Sequence, residues 1–320
     1  MEVILDNKMK MKFVQVASEF IYDLEILGKL INEEEVNKYI LSELDELLEL
    51  NKRDIMKARF KHFNISKTKI SDYEQKLIKI GKTDKFVLAG IRHMGGNANK
   101  PFIYIWPNFM IKQADIKDIV KNVYPYFKVF KPLHINFWIN PILLSKYELD
   151  EKFFTVQQSF IGNVIKLNSK NSTTAKSKFK LEQVKSSEYY KWYENEYNNF
   201  HIMNPDMKER IPINDIELME KCRKENLLYY GVVNNKKVGI IAAEKNDVFG
   251  LKGIYINEIM IAKDYRGNKY SELLLSHFIN ILPKFVEVLW CNIDCENIPS
   301  TKTAIYSGQE VFSVECFYQL

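Results

Sequence analysis

Apolar positions along this chain change their spacing several times, and each change marks a different element. Phe13, Val16, Phe20, Leu24 and Leu27 recur every three or four residues, as do Val36, Ile40, Leu44, Leu47 and Leu48, which predicts amphipathic helices over residues 1 to about 80. Glu33, Glu34 and Glu35 suit the positive end of the second helix. From Lys85 the period shortens. Residues 86–91 and 101–106 read as strands joined by a hairpin loop at 93–100, followed by a helix over 114–130 and a strand over 133–139. Farther on, a short strand at 179–184 precedes an aromatic-rich helix at 187–200 and a second helix at 214–224. A hairpin of 227–233 with 237–243 turns through Asn234 and Asn235, and a strand at 253–261, a helix at 271–282 and a strand at 286–293 follow.

The order strand, strand, helix, strand thus occurs twice, which predicts an α/β chain with mixed sheets (an α+β arrangement) and suggests a divergent tandem. The 320 residues exceed the usual single-domain size. The polar, small-residue run at 168–177 has linker composition, so the expected division is 1–170 and 178–320.

Composition narrows the function classes. Hydrophobic residues at 46% and aromatics at 13% supply real cores, which argues against disorder. The net charge of +5 comes from 46 basic residues interspersed with 41 acidic ones, a weak bias toward anionic ligands without a nucleic-acid-reading motif. Cys222, Cys291, Cys295 and Cys316 form no Cys-x-x-Cys pair, and Cys291 and Cys295 are expected on one strand face. With scattered histidines no metal site is expected, and with no secretory signal or long apolar run the expected setting is cytoplasmic, with no membrane.

One stretch carries candidate chemistry. After the strand containing Ile254, Ile256, Ile259 and Ile261 comes a polar turn, Asp264 to Gly267, and then a helix with an apolar stripe of Leu273, Leu274, His277, Phe278 and Ile281, ended by Pro283. Backbone N–H groups from Arg266 to Ser271 would stand at the positive end of the helix dipole, where a pyrophosphate fits and a guanidinium can fork onto its oxygens. The stretch from Ile259 to Leu274 resembles the acyl-CoA-binding motif of the GNAT superfamily of N-acetyltransferases, Arg/Gln-x-x-Gly-x-Gly/Ala. Arg266 matches the first position and Ser271 the last, while Lys269 stands where the middle glycine is usual. The later run from Glu296 to Gly308 resembles the family's second segment, with Asn297, Ser300 and Gly308 in place.

The resemblance implies a GNAT-like C-terminal domain, preceded by an N-terminal domain that is helical at its start and GNAT-like by element order alone. It implies acetyl-CoA as cosubstrate, held by Arg266, Gly267, Asn268, Lys269, Tyr270 and Ser271 at the pyrophosphate. Met260 and Ile261 would meet the thioester and pantetheine, and Asn297 and Ser300 the pantetheine arm. The family's usual tyrosine acid falls on Ala304; Tyr306, two residues on, is either a packed ring or a displaced acid. Glu258 is the only carboxylate in the preceding strand and is either a proton acceptor or an anchor for a lysine. The expected activity is N-acetylation of a primary amine on a small molecule or peptide, with an inactive acyl-CoA-binding or interaction module as the alternative.

Overall fold

A computed structural model describes residues 5–148, 151–171 and 179–320. The chain divides into two compact units. The first comprises Met1–Leu24, Ile31–Gln157 and Phe312–Leu320, and the second Glu25–Leu30 and Gln158–Val311.

In the first unit, helices α1 (Asn7–Tyr22), α2 (Glu33–Glu49) and α3 (Arg53–Phe63) precede strands β1 (Lys76–Lys79), β2 (Phe86–His93) and β3 (Pro101–Pro107). Helix α4 (Asp115–Phe127), strand β4 (His134–Ile139) and the short α5 (Pro141–Leu144) follow. Asn32 caps α2 by accepting from the Glu34 and Glu35 amides, with three acids in the first turn to complement the dipole. The expectation of helix throughout residues 1–80 is corrected at β1, which pairs antiparallel with β2. Four residues give too short an alternation to read, and the partner strand decides their conformation. Helix α4 buries Ile116, Ile119, Val123 and Phe127, one stripe at helical spacing, and crosses between the parallel strands β3 and β4.

The second unit takes up the chain within β5 (Phe153–Asn163) and continues through α6 (Val164–Asn171), β6 (Phe179–Gln183), α7 (Tyr189–Met203) and α8 (Ile216–Lys224). Then come β7 (Leu228–Val233), β8 (Lys236–Lys245), β9 (Gly253–Ile261), α9 (Tyr270–Ile281), β10 (Val288–Asp294), α10 (Ile298–Ser307) and β11 (Glu310–Gln319). Most of β11 belongs to the first unit, where it pairs antiparallel with β4. Of the expected linker, residues 168–171 end α6 and residues 172–177 lie outside the described residues. Cys291 is buried on β10, but Cys295 falls past the strand's last residue, so the two do not share a strand face.

Strand order in the second unit is β5-β10-β9-β8-β7-β6, with β9 and β10 parallel and β6 to β9 antiparallel. Asn234 and Asn235 both have positive φ, the turn that matches the twist of a two-residue hairpin. Leu273, Leu274, Leu275, Phe278 and Ile279 of α9 pack on one sheet face with Val238, Ile241, Ile254 and Ile256. Tyr189, Tyr193 and Tyr197 of α7 and Met219 and Cys222 of α8 pack on the other. Among the described residues no helix is long and apolar enough to cross a membrane.

Candidate acyl-transfer site

Strand β9 carries an irregularity that decides which way its side chains point. Ala242 pairs with Glu258 but Ala243 pairs with Ile256, so Asn257 is an extra residue, a bulge. Ahead of it Ile254 and Ile256 belong to the α9 core; beyond it Ile259 and Ile261 pack there, while Met260 joins the α7 and α8 core. Glu258 therefore emerges among the tyrosines of α7. In an unbroken strand it would share a face with Ile256.

Glu258 is 8% exposed. Its Oε2 accepts hydrogen bonds from the Tyr193 hydroxyl at 2.6 Å, the Tyr197 hydroxyl at 2.8 Å and Asn214 Nδ2 at 3.3 Å. Burial raises its pKa above the ordinary carboxylate value, and the tyrosine hydroxyls pull the other way. Among the described residues no lysine bonds it, so of the two expected roles the lysine anchor is corrected: the carboxylate is held by hydroxyls and an amide. Sequence reading missed Tyr193, Tyr197 and Asn214; the four-residue spacing of the two tyrosines on one helix was the available signal.

The parallel pairing of β9 with β10 covers Gly253, Ile254 and Tyr255 opposite Val288, Leu289 and Trp290 and goes no further, although β9 continues to Ile261 and β10 to Asp294. The strands part there. Ala262 donates its N–H to the Val238 carbonyl, and antiparallel alternation then aims the Met260 amide at β8 and the Ile261 amide away from it, toward the gap. Arg210, between α7 and α8, forks onto Asp294 at 3.0–3.2 Å and also bonds Glu296, fastening that loop to the end of β10.

At the end of β9, Arg266 donates Nε to the Ile261 carbonyl at 2.9 Å and lies 5.6 Å from the centre of the Phe200 ring. Gly267 has φ +76, and a Cβ built on it would meet nothing within 4 Å. Asn268 donates Nδ2 to the carbonyls of Tyr265 and Arg266. The first helical bond of α9 runs from the Leu273 amide to the Lys269 carbonyl, so the Ser271 and Glu272 amides precede the helical ladder. Gly267 thus faces open space beside the start of α9 and the Arg266 guanidinium, groups of the kind that bind anions.

Lys269 takes the left-handed conformation, φ 60 and ψ 23, where the motif usually has glycine. The backbone path is kept and the side chain bears the strain, which for a non-glycine residue is about 1–2 kcal/mol. Lys269→Gly is accordingly expected to raise stability by about 1 kcal/mol, part of the relieved strain being lost to glycine's greater unfolded-state freedom. Urea denaturation measures it; a destabilised variant would mean that the lysine side chain contributes more than its backbone loses.

Helix α10 is tied to α9 through Ser271 and Thr303, whose hydroxyl oxygens lie 3.0 Å apart, with Thr303 donating onward to the Pro299 carbonyl. Ser271→Ala is expected to cost about 1 kcal/mol, the usual worth of one such bond, read from the same denaturation curves. Asn297 uses Oδ1 to cap α10, accepting from the Ser300 amide at 3.3 Å. Ala304 is buried in the α9 core, whereas Tyr306 is 67% exposed, which corrects the expectation of a packed ring. Among the described residues no group of three or more His, Cys, Asp or Glu is arranged to hold a metal.

Residues 187–304 match the model of the acetyltransferase (GNAT) family. No curated protein matches the chain. Solved structures similar to it include a GCN5-related N-acetyltransferase from Sphaerobacter thermophilus, at 10% identity over 79% of this chain and 82% of that one, with TM-score 0.44. A GNAT-family acetyltransferase from Colwellia psychrerythraea is 8% identical over 83% of this chain and 96% of that one, with TM-score 0.44. Arabidopsis thaliana Naa50 in complex with the bisubstrate analogue CoA-Ac-MVNAL is 16% identical over 43% of this chain and 97% of that one, with TM-score 0.31.

Proposed function

On the premise that residues 187–304 form a GNAT acetyltransferase domain, we propose that the chain moves an acetyl group from acetyl-CoA to a primary amine. The observation that carries the reading is the junction of β9 with α9, where a parted strand edge leads to the open turn at Gly267 and the helix end behind it. The amides from Gly267 to Ser271 and the guanidinium of Arg266 hold the pyrophosphate. The open edge of β9 accepts the amide-bearing pantetheine arm as an added strand would be accepted, with the capped N-terminus of α10 at Asn297 and Ser300 beside it. The Ile261 amide donates to the thioester oxygen as it gains charge, with Met260 packing beside it. Glu258 takes the proton released by the attacking amine, through a water or directly. Tyr306, exposed on α10, is given no part. The matching parallel crossovers through α4 and α9 support reading the first unit as a degenerate relative of the second.

Titration with CoA, followed by a thiol-release assay with acetyl-CoA and a panel of small-molecule and peptide amines, tests this. CoA binding with amine-dependent thiol release is expected; absence of CoA binding at millimolar concentration sinks the proposal. Alanine at position 304 in place of the usual acid favours a second reading, an acyl-CoA-binding module without turnover. Binding with no thiol release for any amine would select it.

A further inference from the structure

Two guanidiniums converge in the first unit on carbonyl and amide oxygens, with no carboxylate bonded to either among the described residues. Arg59 of α3 and Arg92 of β2 both donate to the carbonyl oxygen of Ile91, and Arg92 also donates to Oε1 of Gln75 at 3.0 Å. The arginine ion pairs among the described residues belong to Arg210 and Arg223 instead. Gln75 is fully buried, and its Nε2 has no hydrogen-bond partner. One end of this cluster therefore presents three sets of donors and no acid.

A polar row leads from there across one face of the sheet. The Gln75 amide lies against Gly90, where a Cβ would meet Oε1 at 2.1 Å, and Gly90 pairs with Tyr104, which pairs with Asn136. The Arg92 guanidinium is 5.8 Å from the centre of the Tyr104 ring. Asn136 in turn donates Nδ2 to Oε1 of Glu315 on β11 at 2.8 Å. Burial raises the pKa of Glu315 and the Asn136 amide pulls the other way, with no cation bonded to the carboxylate among the described residues. Burial also pushes Tyr104 up to about 12, with Glu43 of α2 and Glu315 contributing to the rise.

A half-buried charge without a counter-ion is destabilising, and here both ends of one row lack an ion-pair partner among the described residues. We propose that this row binds a small molecule with a carboxylate at one end and an ammonium at the other. The carboxylate lies on Arg59, Arg92 and the Gln75 amide; the ammonium lies against Glu315, with the connecting chain over Tyr104. Arg59, Arg92 and Gln75 meet at Ile91 on β2 and Glu315 reaches Asn136 on β4, so the charges to be bridged are about two strand spacings apart, on the order of 10 Å. That span suits an ω-amino acid or the side-chain ammonium of a lysine-like molecule. It is independent of the acetyl-transfer reading.

Calorimetric titration of the full chain with 6-aminohexanoate and L-lysine tests it, with hexanoate and hexylamine as single-charge controls. Saturable binding of the two-ended probes is expected, about tenfold or more tighter than either control. Glu315→Gln should bring the affinity for 6-aminohexanoate down to that for hexanoate, and Arg92→Met down to that for hexylamine. If Arg92→Met does not fold, the wild-type and Glu315→Gln titrations still decide. No saturable binding of either probe by folded wild-type protein at about 10 mM, or equal affinity for probes and controls, overturns the proposal.

Discussion

Replacing Glu258 by glutamine lowers the rate of acetyl transfer by about 10²- to 10⁴-fold, the range contributed by a positioned proton acceptor. The amide keeps the shape of the side chain but cannot take a proton, while the fold loses no volume. The pH profile sharpens the test. Burial raises the Glu258 pKa, so the wild-type rate climbs as the carboxylate deprotonates above the ordinary carboxylate value and levels off beyond it; in the variant this limb disappears. Removing one donor, in Tyr193→Phe, leaves the carboxylate less well stabilised and moves the limb to higher pH. Stability should follow the same proton with a definite sign. A raised folded pKa means that the folded protein binds this proton more tightly than the unfolded chain does. The stabilisation is therefore fully present below the unfolded value and is lost as pH rises through the folded one. Steady-state kinetics from pH 5 to 9 decides: an unchanged rate and an unchanged limb in Glu258→Gln would remove the residue from the chemistry and leave it a structural carboxylate.

Arg266→Ala weakens CoA binding by about 10- to 100-fold, as expected from losing a charge-assisted contact of about 1.5–3 kcal/mol. The geometry explains why one side chain matters so much. The Nε bond to the Ile261 carbonyl and the Phe200 ring hold the guanidinium in one orientation, so little freedom is lost when its remaining N–H groups meet a phosphate. Arg266→Lys keeps the charge but loses the fork, and an intermediate affinity is expected. Once CoA saturates the site, turnover in Arg266→Ala should approach the wild-type value, because the contact is made equally before and during transfer. Titration of CoA at two salt concentrations measures the effect, and equal affinities for wild type and variant would place the pyrophosphate elsewhere.

Much of this site could be read along the chain. The bounds of β9 were legible from its apolar run, and those of α9 from a stripe that stops before Pro283. The hairpin turn at Asn234 and Asn235 was legible too, because few residues other than glycine accept two successive positive φ angles so readily. In contrast, β5 and β11 went unread. Segments such as Phe153–Asn163 mix apolar and polar residues without a clean period, and they become strands because distant partners complete their hydrogen bonds. The group around Glu258 was half legible. The carboxylate was evident, but the hydroxyls that hold it come from positions 65 and 61 residues away.

Local chemistry thus determined the turn at Gly267 and the helix behind it, since those follow from φ preferences and periodicity within some twenty residues. Tertiary structure alone decided that Lys269 would adopt a glycine's conformation, because β9 and α9 constrain the loop from both sides. It also decided, through one extra residue at Asn257, that Glu258 turns toward Tyr193 and Tyr197 instead of into the core beneath α9. A bulge is a mismatch between two strands, and neither strand contains it by itself.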